Sequence, residues 1–327
     1  MKIFVYKHSE SLYHKREVAF VRRENMLDIL TRAGSFIAII FLGYFLKKIG
    51  FFKQEDFTIL SRITIRITLP ATIVTSFAGK EIDPSMLSLT FLAIGCGLIY
   101  VAIGFLINQK NAKEQQAFEM LNLPGYNIGT FVIPFAQSFL GPLGVIAVSL
   151  FDTGNAVICL GGAFSLASMV KDGSGFSVKR ILRSLAKSVP FVFYVVMLLL
   201  NLTKVPIPGF VVSFAEIIGS ANAFMAMLMI GVGFKLGGEK SQFKTIAKLL
   251  LIRYGVAAVV SWIFYFVLPF DLQVRQALVI LAFSPIGSAV PGFTCEMKGD
   301  VGLSSALNSI AMVISITITV ILLFVML

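Results

Sequence analysis

Charged residues are scarce in this chain: they make up 14% of its 327 residues, whereas soluble proteins carry roughly 25%. Hydrophobic residues make up 57%, and the mean hydropathy is +0.88. So few charges cannot cover the surface of a water-soluble protein of this size. The composition therefore predicts a polytopic, multi-pass membrane protein whose surroundings are the lipid bilayer.

Cysteine and histidine are scarce as well. Cys96, Cys159 and Cys295 lie within or beside apolar runs at unrelated spacings, so they indicate neither a disulfide framework nor a metal site. The two histidines, His8 and His14, both precede the first apolar run. We therefore predict no metal site and no cofactor.

Basic residues outnumber acidic ones, 28 against 17. Such an excess suits either nucleic-acid binding or the cytoplasmic loops of a membrane protein. Here the basic residues lie in short stretches between apolar runs, which favours cytoplasmic loops. We predict no nucleic-acid partner.

Apolar runs set the fold. A hydrocarbon core about 30 Å thick requires roughly 20 apolar residues per helix. A linker, residues 171–183, separates a first repeat of five helices (27–170) from a second (184–327). Because five is odd, the repeats have inverted topology, and we predict an all-α fold of two inverted five-helix repeats. The ten predicted spans are 30–47, 57–78, 86–108, 117–140, 143–169, 184–202, 210–234, 246–268, 274–294 and 303–326.

Two spans contain clusters of helix-breaking residues, and each is the fourth of its repeat. Hydrocarbon offers backbone groups no hydrogen-bond partners, so a helix breaks there only where protein or a water-lined cavity receives the freed groups. Either Pro and Gly only kink two packed helices, or spans four and nine cross at a substrate site near the midplane. The matching positions favour the site. Its candidate residues are Pro124, Asn127, Gly129, Pro134, Pro285, Pro291 and Gly292.

The chemistry of such a crossing suits an anion. A half-helix that begins at the midplane directs unpaired N–H groups and a partial positive charge toward it. Backbone N–H groups after Gly129 and Gly292 could hold a carboxylate, and the Asn127 amide could donate to it. Alternatively, the freed carbonyls before each proline could hold Na⁺ or orient water.

Asp152 lies about 14 Å into span five, where an ionised carboxylate costs about 2.5 kcal/mol or more. Two interpretations remain open. Asp152, with Asn155 one turn away, is a candidate site for a coupling ion, H⁺ or Na⁺. Equally, it is a structural residue that joins span five to a neighbour through a hydrogen bond.

Other polar residues in the spans are weaker candidates. Arg66 either pairs with an acid or attracts an anion. Asn222 and Asn308 either line the substrate route or join helices. Four further charged residues are expected to snorkel to an interface: Arg62, Glu119, Glu216 and Arg253.

Lysine and arginine set the orientation. Most of them fall in loops on one side, and Lys80, Lys204 and Arg275 are the exceptions, so the basic side should be cytoplasmic. Both termini are then external, which conflicts with the basic residues 1–26. Either this segment is a real N-terminal extension, or Met26 is the true start; the conflict favours Met26.

Six segments of the chain follow one another in a recognisable order. They are GYFLKKIGFF (43–52), SRITIRITLPATIVTSF (61–77), NIGTFVIP (127–134), LFDTGNAV (150–157), GVGFKL (231–236) and DVGLSSALNSIAMVI (300–314). Together they resemble the auxin efflux carrier (AEC) family, which includes bacterial malate-permease-like proteins. The resemblance implies a fold similar to bile-acid/sodium symporters, with a scaffold (27–80 and 184–236) and a mobile transport domain (85–170 and 242–327). The scaffold is also a candidate homodimer surface.

These observations favour a secondary transporter of a small organic anion, a carboxylate such as malate or an auxin-like acid, in the cytoplasmic membrane. The apolar spans contain no histidine, HExxH motif or paired aspartates, so we do not expect an enzyme. An ion channel would also use broken helices, but the chain lacks a repeated pore loop. A membrane sensor without transport remains the other alternative.

Overall fold

The computed structural model describes residue 27, residues 30–107, residue 109, residues 112–234 and residues 242–326. The regular elements in these ranges are all helices. Residues 1–26 and the end of the GVGFKL motif lie outside the described residues. The helices of the first half are α1 (Leu30–Lys48), α2 (Asp56–Phe77), α3 (Pro84–Ile107), α4 (Lys113–Asn122), α5 (residues 128–140) and α6 (residues 141–172).

The second half begins with a short helix at the surface. Its helices are α7 (Val178–Lys187), α8 (Val189–Leu202), α9 (Gly209–Gly233), α10 (Phe243–Phe266), α11 (Leu272–Ala282), α12 (Val290–Glu296) and α13 (Val301–Met326).

By length and composition, seven helices in the described ranges can cross a membrane, or eight if α7 and α8 are one bent span. One of the seven is the 45-residue stretch Ile128–Asp172. A straight helix of that length would measure about 68 Å, more than twice the hydrocarbon core. The stretch breaks at Gly141 (φ 62°, ψ −168°), and α5 packs back against α6.

Two pairs of short helices, α4 with α5 and α11 with α12, each flank a non-helical break. When each pair is counted as one span and α7 is left out, the structure accommodates the ten predicted spans. The polytopic all-α fold with broken fourth and ninth spans is thus confirmed.

The predicted linker contains a helix that does not cross the bundle. α7 is bent by 82° from α8 and buries Ile181 and Leu185 against the protein. Arg180 on α7 pairs with Glu296 on α12 at 2.6 Å. Its guanidinium also lies 3.9 Å from the ring centroid of Phe164. The connector between the repeats is therefore attached to the end of the ninth span.

Glycine allows the closest helix contacts. A Cβ at Gly154 in α6 would lie 1.9 Å from the Thr90 carbonyl oxygen in α3. A Cβ at Gly231 in α9 would lie 2.0 Å from the Ile40 carbonyl oxygen in α1. Because lipid tails are as apolar as the side chains, helices in membranes associate through close packing of this kind.

Two of the four charged residues predicted to snorkel are buried instead. Glu119 has a fully buried side chain and pairs with Lys248 at 3.3 Å. Arg253 is 1% exposed and lies at the crossing described below. The expectation was wrong for both because each finds polar partners on other helices. Arg62 and Glu216 are exposed, as expected.

Candidate substrate site at the crossing of two broken helices

The first break, residues 123–127, separates α4 from α5. Pro124 has no N–H to continue the helix, and Gly125 has a φ of 86°, which favours glycine. A Cβ at Gly125 would also lie 2.5 Å from the Cys159 sulfur. Both the conformation and the close approach of α6 therefore require glycine here.

The second break, residues 283–289, separates α11 from α12. Ser284 and Pro285 are buried within it. The Asn127 backbone N–H donates to the Pro285 carbonyl at 2.9 Å. The two breaks therefore contact each other directly, and each supplies a partner for a backbone group that the other has freed.

Arg253 on α10 serves both breaks. Its guanidinium donates to the carbonyls of Leu123 (2.6 Å) and Gly125 (2.8 Å) in the first break. It also donates to the carbonyls of Ser284 (2.9 Å) and Pro285 (3.1 Å) in the second. The carbonyls that the sequence offered as a Na⁺ site are thus hydrogen-bonded to a buried arginine.

Asn155 on α6 holds the first break from the other side. Its side-chain oxygen accepts from the Tyr126 N–H at 3.1 Å, and its amide nitrogen donates to the Tyr126 carbonyl at 3.0 Å. The same nitrogen donates to Asp152 Oδ1 at 2.8 Å. Both amide hydrogens are therefore in use, and Asn155 acts here as a brace for unwound backbone.

Asp152 is half-buried and has a second partner. Its Oδ2 accepts from the Tyr194 hydroxyl on α8 at 2.9 Å. The same oxygen lies 4.0 Å from where a Cβ of Gly129 would be. Asp152 therefore lies beside the start of α5, and its hydrogen bond to Tyr194 joins the predicted transport domain to the predicted scaffold.

Asn127 presents an amide with free donors. Its Oδ1 accepts from the Thr130 hydroxyl at 2.6 Å, which fixes the orientation of the amide. No acceptor in the described part of the protein lies within hydrogen-bonding distance of its nitrogen. Two N–H bonds are therefore available to a ligand.

Two cavities meet at the crossing. The Asp152 cavity, about 140 Å³, is lined by residues that include Leu69, Gly129, Asp152 and Tyr194. The Asn308 cavity, about 260 Å³, is lined by residues that include Gln54, Phe234, Pro291 and Asn308. Both share Asn127, Thr130 and Ser288.

A larger cavity of about 550 Å³ lies elsewhere, between residues 77–84 and residues 197–207. It includes Lys80 and Lys204, two of the few basic residues of the predicted external side. Its walls belong to the predicted scaffold and to residues 81–84, which directly follow it, and they include neither break. We therefore regard the crossing, and not this larger space, as the candidate site.

The remaining predicted residues are distributed unequally. Pro124 and Pro134 are buried and line neither cavity at the crossing. Gly292 is exposed and also lines neither; it belongs to α12, which is only seven residues long. Arg66 is exposed at the surface of α2. The crossing therefore draws its polar groups mainly from the α5 side.

Asn222 is fully buried and joins helices. It accepts from the Thr68 hydroxyl at 2.9 Å and donates to Gln137 at 3.4 Å. Gln137 in turn donates to the Gly219 carbonyl at 3.0 Å. This network links α2, α5 and α9, and Asn222 lines neither of the two cavities.

Sequence reasoning missed Arg253, Tyr194, Thr130 and Ser288. Thr130 lies in the quoted NIGTFVIP segment and Ser288 lies between Pro285 and Pro291, so their position at the breaks was a usable signal. Arg253 and Tyr194 lie on other helices, and Arg253 is 130 residues from Leu123. Local patterns carry no information about contacts of that separation.

A helical bundle in which two broken helices cross beside polar cavities is the architecture of a membrane transporter. Residues 31–174 match the model of a family described as membrane transport protein. The resemblance to the AEC family is thereby confirmed over this segment.

Two curated relatives agree with this assignment. An uncharacterized transporter of Methanothermobacter thermautotrophicus is 22% identical over 209 residues, which is 62% of this chain and 66% of the relative. An uncharacterized transporter of Methanocaldococcus jannaschii is 24% identical over 213 residues, 60% of this chain and 66% of the relative. The chain thus spans about two thirds of the length of these relatives. Their names support membrane transport and specify no substrate.

Proposed function

We propose that this chain carries a small organic anion, a carboxylate such as malate or an auxin-like acid, across the cytoplasmic membrane. The observation that carries the proposal is the position of Asn127. Its amide has two free N–H donors and lines both cavities at the crossing, and Asn127 is the N-cap residue of α5.

The groups around Asn127 suit a carboxylate. The first turn of a helix leaves backbone N–H groups without intrahelical partners. In α5 the Ile128 N–H is used by the Tyr126 carbonyl at 3.0 Å, and the next two residues, Gly129 and Thr130, line the Asp152 cavity. Ser288 is exposed to both cavities and adds a hydroxyl donor. Asn308, Ser305 and Ser309 add further polar side chains to the wall of the Asn308 cavity. These neutral donors can bind an anion without a lysine or arginine at the ligand.

Alternating access by an elevator-like movement is supported by the position of the cavities. Each cavity is lined on one side by helices of the predicted scaffold and on the other by the breaks and helices of the predicted transport domain. A displacement of one group against the other would move the crossing, with its ligand, across the membrane. The predicted homodimer would leave the scaffold fixed during this movement.

Asp152 suggests how a proton could be coupled. An ionised Asp152 beside the start of α5 would repel an anion bound at Asn127, because like charges at short range disfavour each other. Protonation removes that repulsion. An anion and a proton would then bind together at the Asp152 cavity, which favours H⁺ as the coupled ion.

Reconstitution in liposomes tests the function. We expect saturable counterflow of labelled malate or of another carboxylate from a panel. Asn127→Leu keeps a similar volume but removes two donors to a charged ligand, worth about 1.5 to 3 kcal/mol, so affinity should fall roughly ten- to a hundredfold. Gln115→Leu, which removes an exposed amide on α4, is the matched control and should leave affinity unchanged.

Three outcomes would contradict the proposal. Ohmic current without counterflow would indicate a channel. Binding without transport of any carboxylate would indicate a sensor. Equal carboxylate affinity in Asn127→Leu and the parent would place the substrate away from the crossing.

A further inference from the structure

Four backbone carbonyls converge behind the candidate site, those of Leu123 and Gly125 from the first break and of Ser284 and Pro285 from the second. Each belongs to a segment that has left its helix, so none has an ordinary helical partner. In transporters with broken helices, clusters of unwound carbonyls coordinate Na⁺. The crossing thus builds a cation site from the backbone alone.

The cation at this site is part of the chain. The guanidinium of Arg253 lies within 2.6 to 3.1 Å of all four oxygens. The side chain comes from α10, outside both breaks, and is 1% exposed. Its central carbon lies 5.6 Å from the ring centroid of Tyr100 and 5.5 Å from that of Tyr126.

The charge of Arg253 is compensated by dipoles. Among the described residues no carboxylate lies within 4.0 Å of the guanidinium. Carbonyl oxygens and aromatic faces surround it instead, and both stabilise a cation. The Tyr100 hydroxyl further donates to the Arg253 backbone carbonyl at 2.9 Å, which fixes the start of the side chain. This is the environment of a bound metal cation with a guanidinium in its place.

We propose that Arg253 is a tethered substitute for Na⁺ that holds the two breaks in register and makes the crossing independent of Na⁺. A guanidinium remains protonated in proteins and, unlike an ion, cannot dissociate. A Na⁺ ion that approached the same oxygens would meet a fixed positive charge. Arg253 is therefore a positioning residue for the substrate site, since it acts through the backbone of the breaks.

This inference deepens the proposed function, because it removes Na⁺ at the crossing as the coupled ion and leaves Asp152 as the candidate for H⁺. The carbonyl cluster can nevertheless be examined without any substrate. A failure to find a transported carboxylate would leave the measurements below unaffected.

Thermal unfolding of the purified protein in detergent tests the proposal, with NaCl, KCl and choline chloride compared at equal ionic strength. We expect the parent to show no shift specific to Na⁺ above about 1 °C. Arg253→Met should unfold roughly 10 °C lower, because three of the four carbonyls lose their partner and the Pro285 carbonyl keeps only the Asn127 N–H. Saturating Na⁺ should then raise its unfolding temperature by about 3 to 5 °C. Arg62→Met, which removes an exposed arginine on α2, should behave like the parent.

Arg253→Lys extends the test to a different cationic side chain. A lysine ammonium keeps the charge with fewer and differently placed donors, so we expect an intermediate unfolding temperature and no response to Na⁺. If Arg253→Met does not fold, the test uses the unfolding temperatures of the parent and of Arg253→Lys with and without Na⁺, and neither protein should respond to Na⁺. A saturable, Na⁺-specific stabilisation of the parent would overturn the proposal. The proposal would also be overturned if Arg253→Met folds and its unfolding temperature does not rise with Na⁺, or if that temperature equals the parent's.

Discussion

At the scale of single residues, the crossing depends on side chains that replace lost backbone partners. Asn155 offers Tyr126 both an acceptor and a donor, much as a neighbouring strand would, and Arg253 offers four carbonyls a donor. Unpaired backbone groups in a membrane interior cost several kcal/mol each. Polar residues within these spans therefore stabilise the breaks before they take part in any transport.

The role of Asn155 leads to a prediction about stability. Asn155→Leu leaves the buried Tyr126 N–H without a partner, at a cost of about 1 to 3 kcal/mol, and leaves the Tyr126 carbonyl with the Ile128 N–H alone. We expect the unfolding temperature in detergent to fall by roughly 3 to 10 °C. Asn308→Leu, at a polar wall of the Asn308 cavity, should change it by far less. Equal unfolding temperatures in Asn155→Leu and the parent would show that Asn155 does not hold the break.

The role of Asp152 leads to a prediction about coupling. Asp152→Asn can still accept from Asn155 and can donate to the Tyr194 hydroxyl, so we expect it to fold. Because an amide does not titrate, counterflow should persist while accumulation driven by a pH gradient is lost. Carboxylate binding should also lose its dependence on pH over the range in which Asp152 titrates. Uptake into liposomes with and without a pH gradient measures both.

The control for this experiment is Asp172→Asn, which removes an exposed carboxylate at the end of α6. Hydrogen bonds from Ser174 keep the pKa of Asp172 below its ordinary value, so its charge is constant near neutral pH. Gradient-driven accumulation should therefore be unchanged in this variant. Normal accumulation by Asp152→Asn would make Asp152 a structural residue.

At the scale of elements, the helices that surround the crossing are held by glycine contacts and by polar bridges. α1 and α9 approach at Gly43 and Gly231, where a Cβ would lie 2.5 Å and 2.0 Å from carbonyl oxygens of the facing helix. Both helices belong to the predicted scaffold. The Asn308 cavity is bordered by α9, and this contact with α1 leaves α9 little freedom to separate or slide.

The contact between α1 and α9 predicts opposite effects for two similar substitutions. Gly231→Ala forces the helices apart, and overpacking of this kind costs about 1 to 3 kcal/mol, so the unfolding temperature should fall by roughly 3 to 10 °C. Gly34→Ala lies on α1 with nothing within 4 Å of its new Cβ. It should be neutral or slightly stabilising, because alanine favours helix over glycine. The same effect from both would show that intrinsic helix propensity, and not the contact, is being measured.

At the scale of the whole molecule, the charged loops assign each end of the helical bundle to one side of the membrane, and with it the Asn308 cavity. The Asn308 cavity includes Gln54 and Phe234, which adjoin the basic loops assigned to the cytoplasm. The distribution of lysine and arginine therefore assigns the Asn308 cavity to the cytoplasmic side.

Cysteine accessibility measures that orientation. In a Cys295→Ser background, we expect Gly175→Cys, in the connector before α7, to resist membrane-impermeant thiol reagents in intact cells. It should react once the cells are permeabilised. Glu81→Cys, at an exposed position of the opposite side, should react without permeabilisation. The reverse pattern would invert the assigned topology and place the Asn308 cavity outside the cell.

The sequence by itself determined the helical class, the approximate spans and the two breaks. Each depends on composition within one segment: apolar runs of membrane length, and proline with glycine where hydrocarbon cannot receive freed backbone groups. The matching positions of the breaks favoured a crossing of the two spans over two separate kinks, and the contact between Asn127 and Pro285 confirms the crossing.

Only the tertiary structure decided what fills the crossing. Arg253 follows Lys248 by five residues on α10, and a long cationic side chain at that position could equally extend to the interface or turn inward. The choice depends on carbonyls more than 30 residues away in one break and about 130 away in the other. Those acceptors exist only after the helices have packed, because the breaks free them and the fold brings α10 beside them.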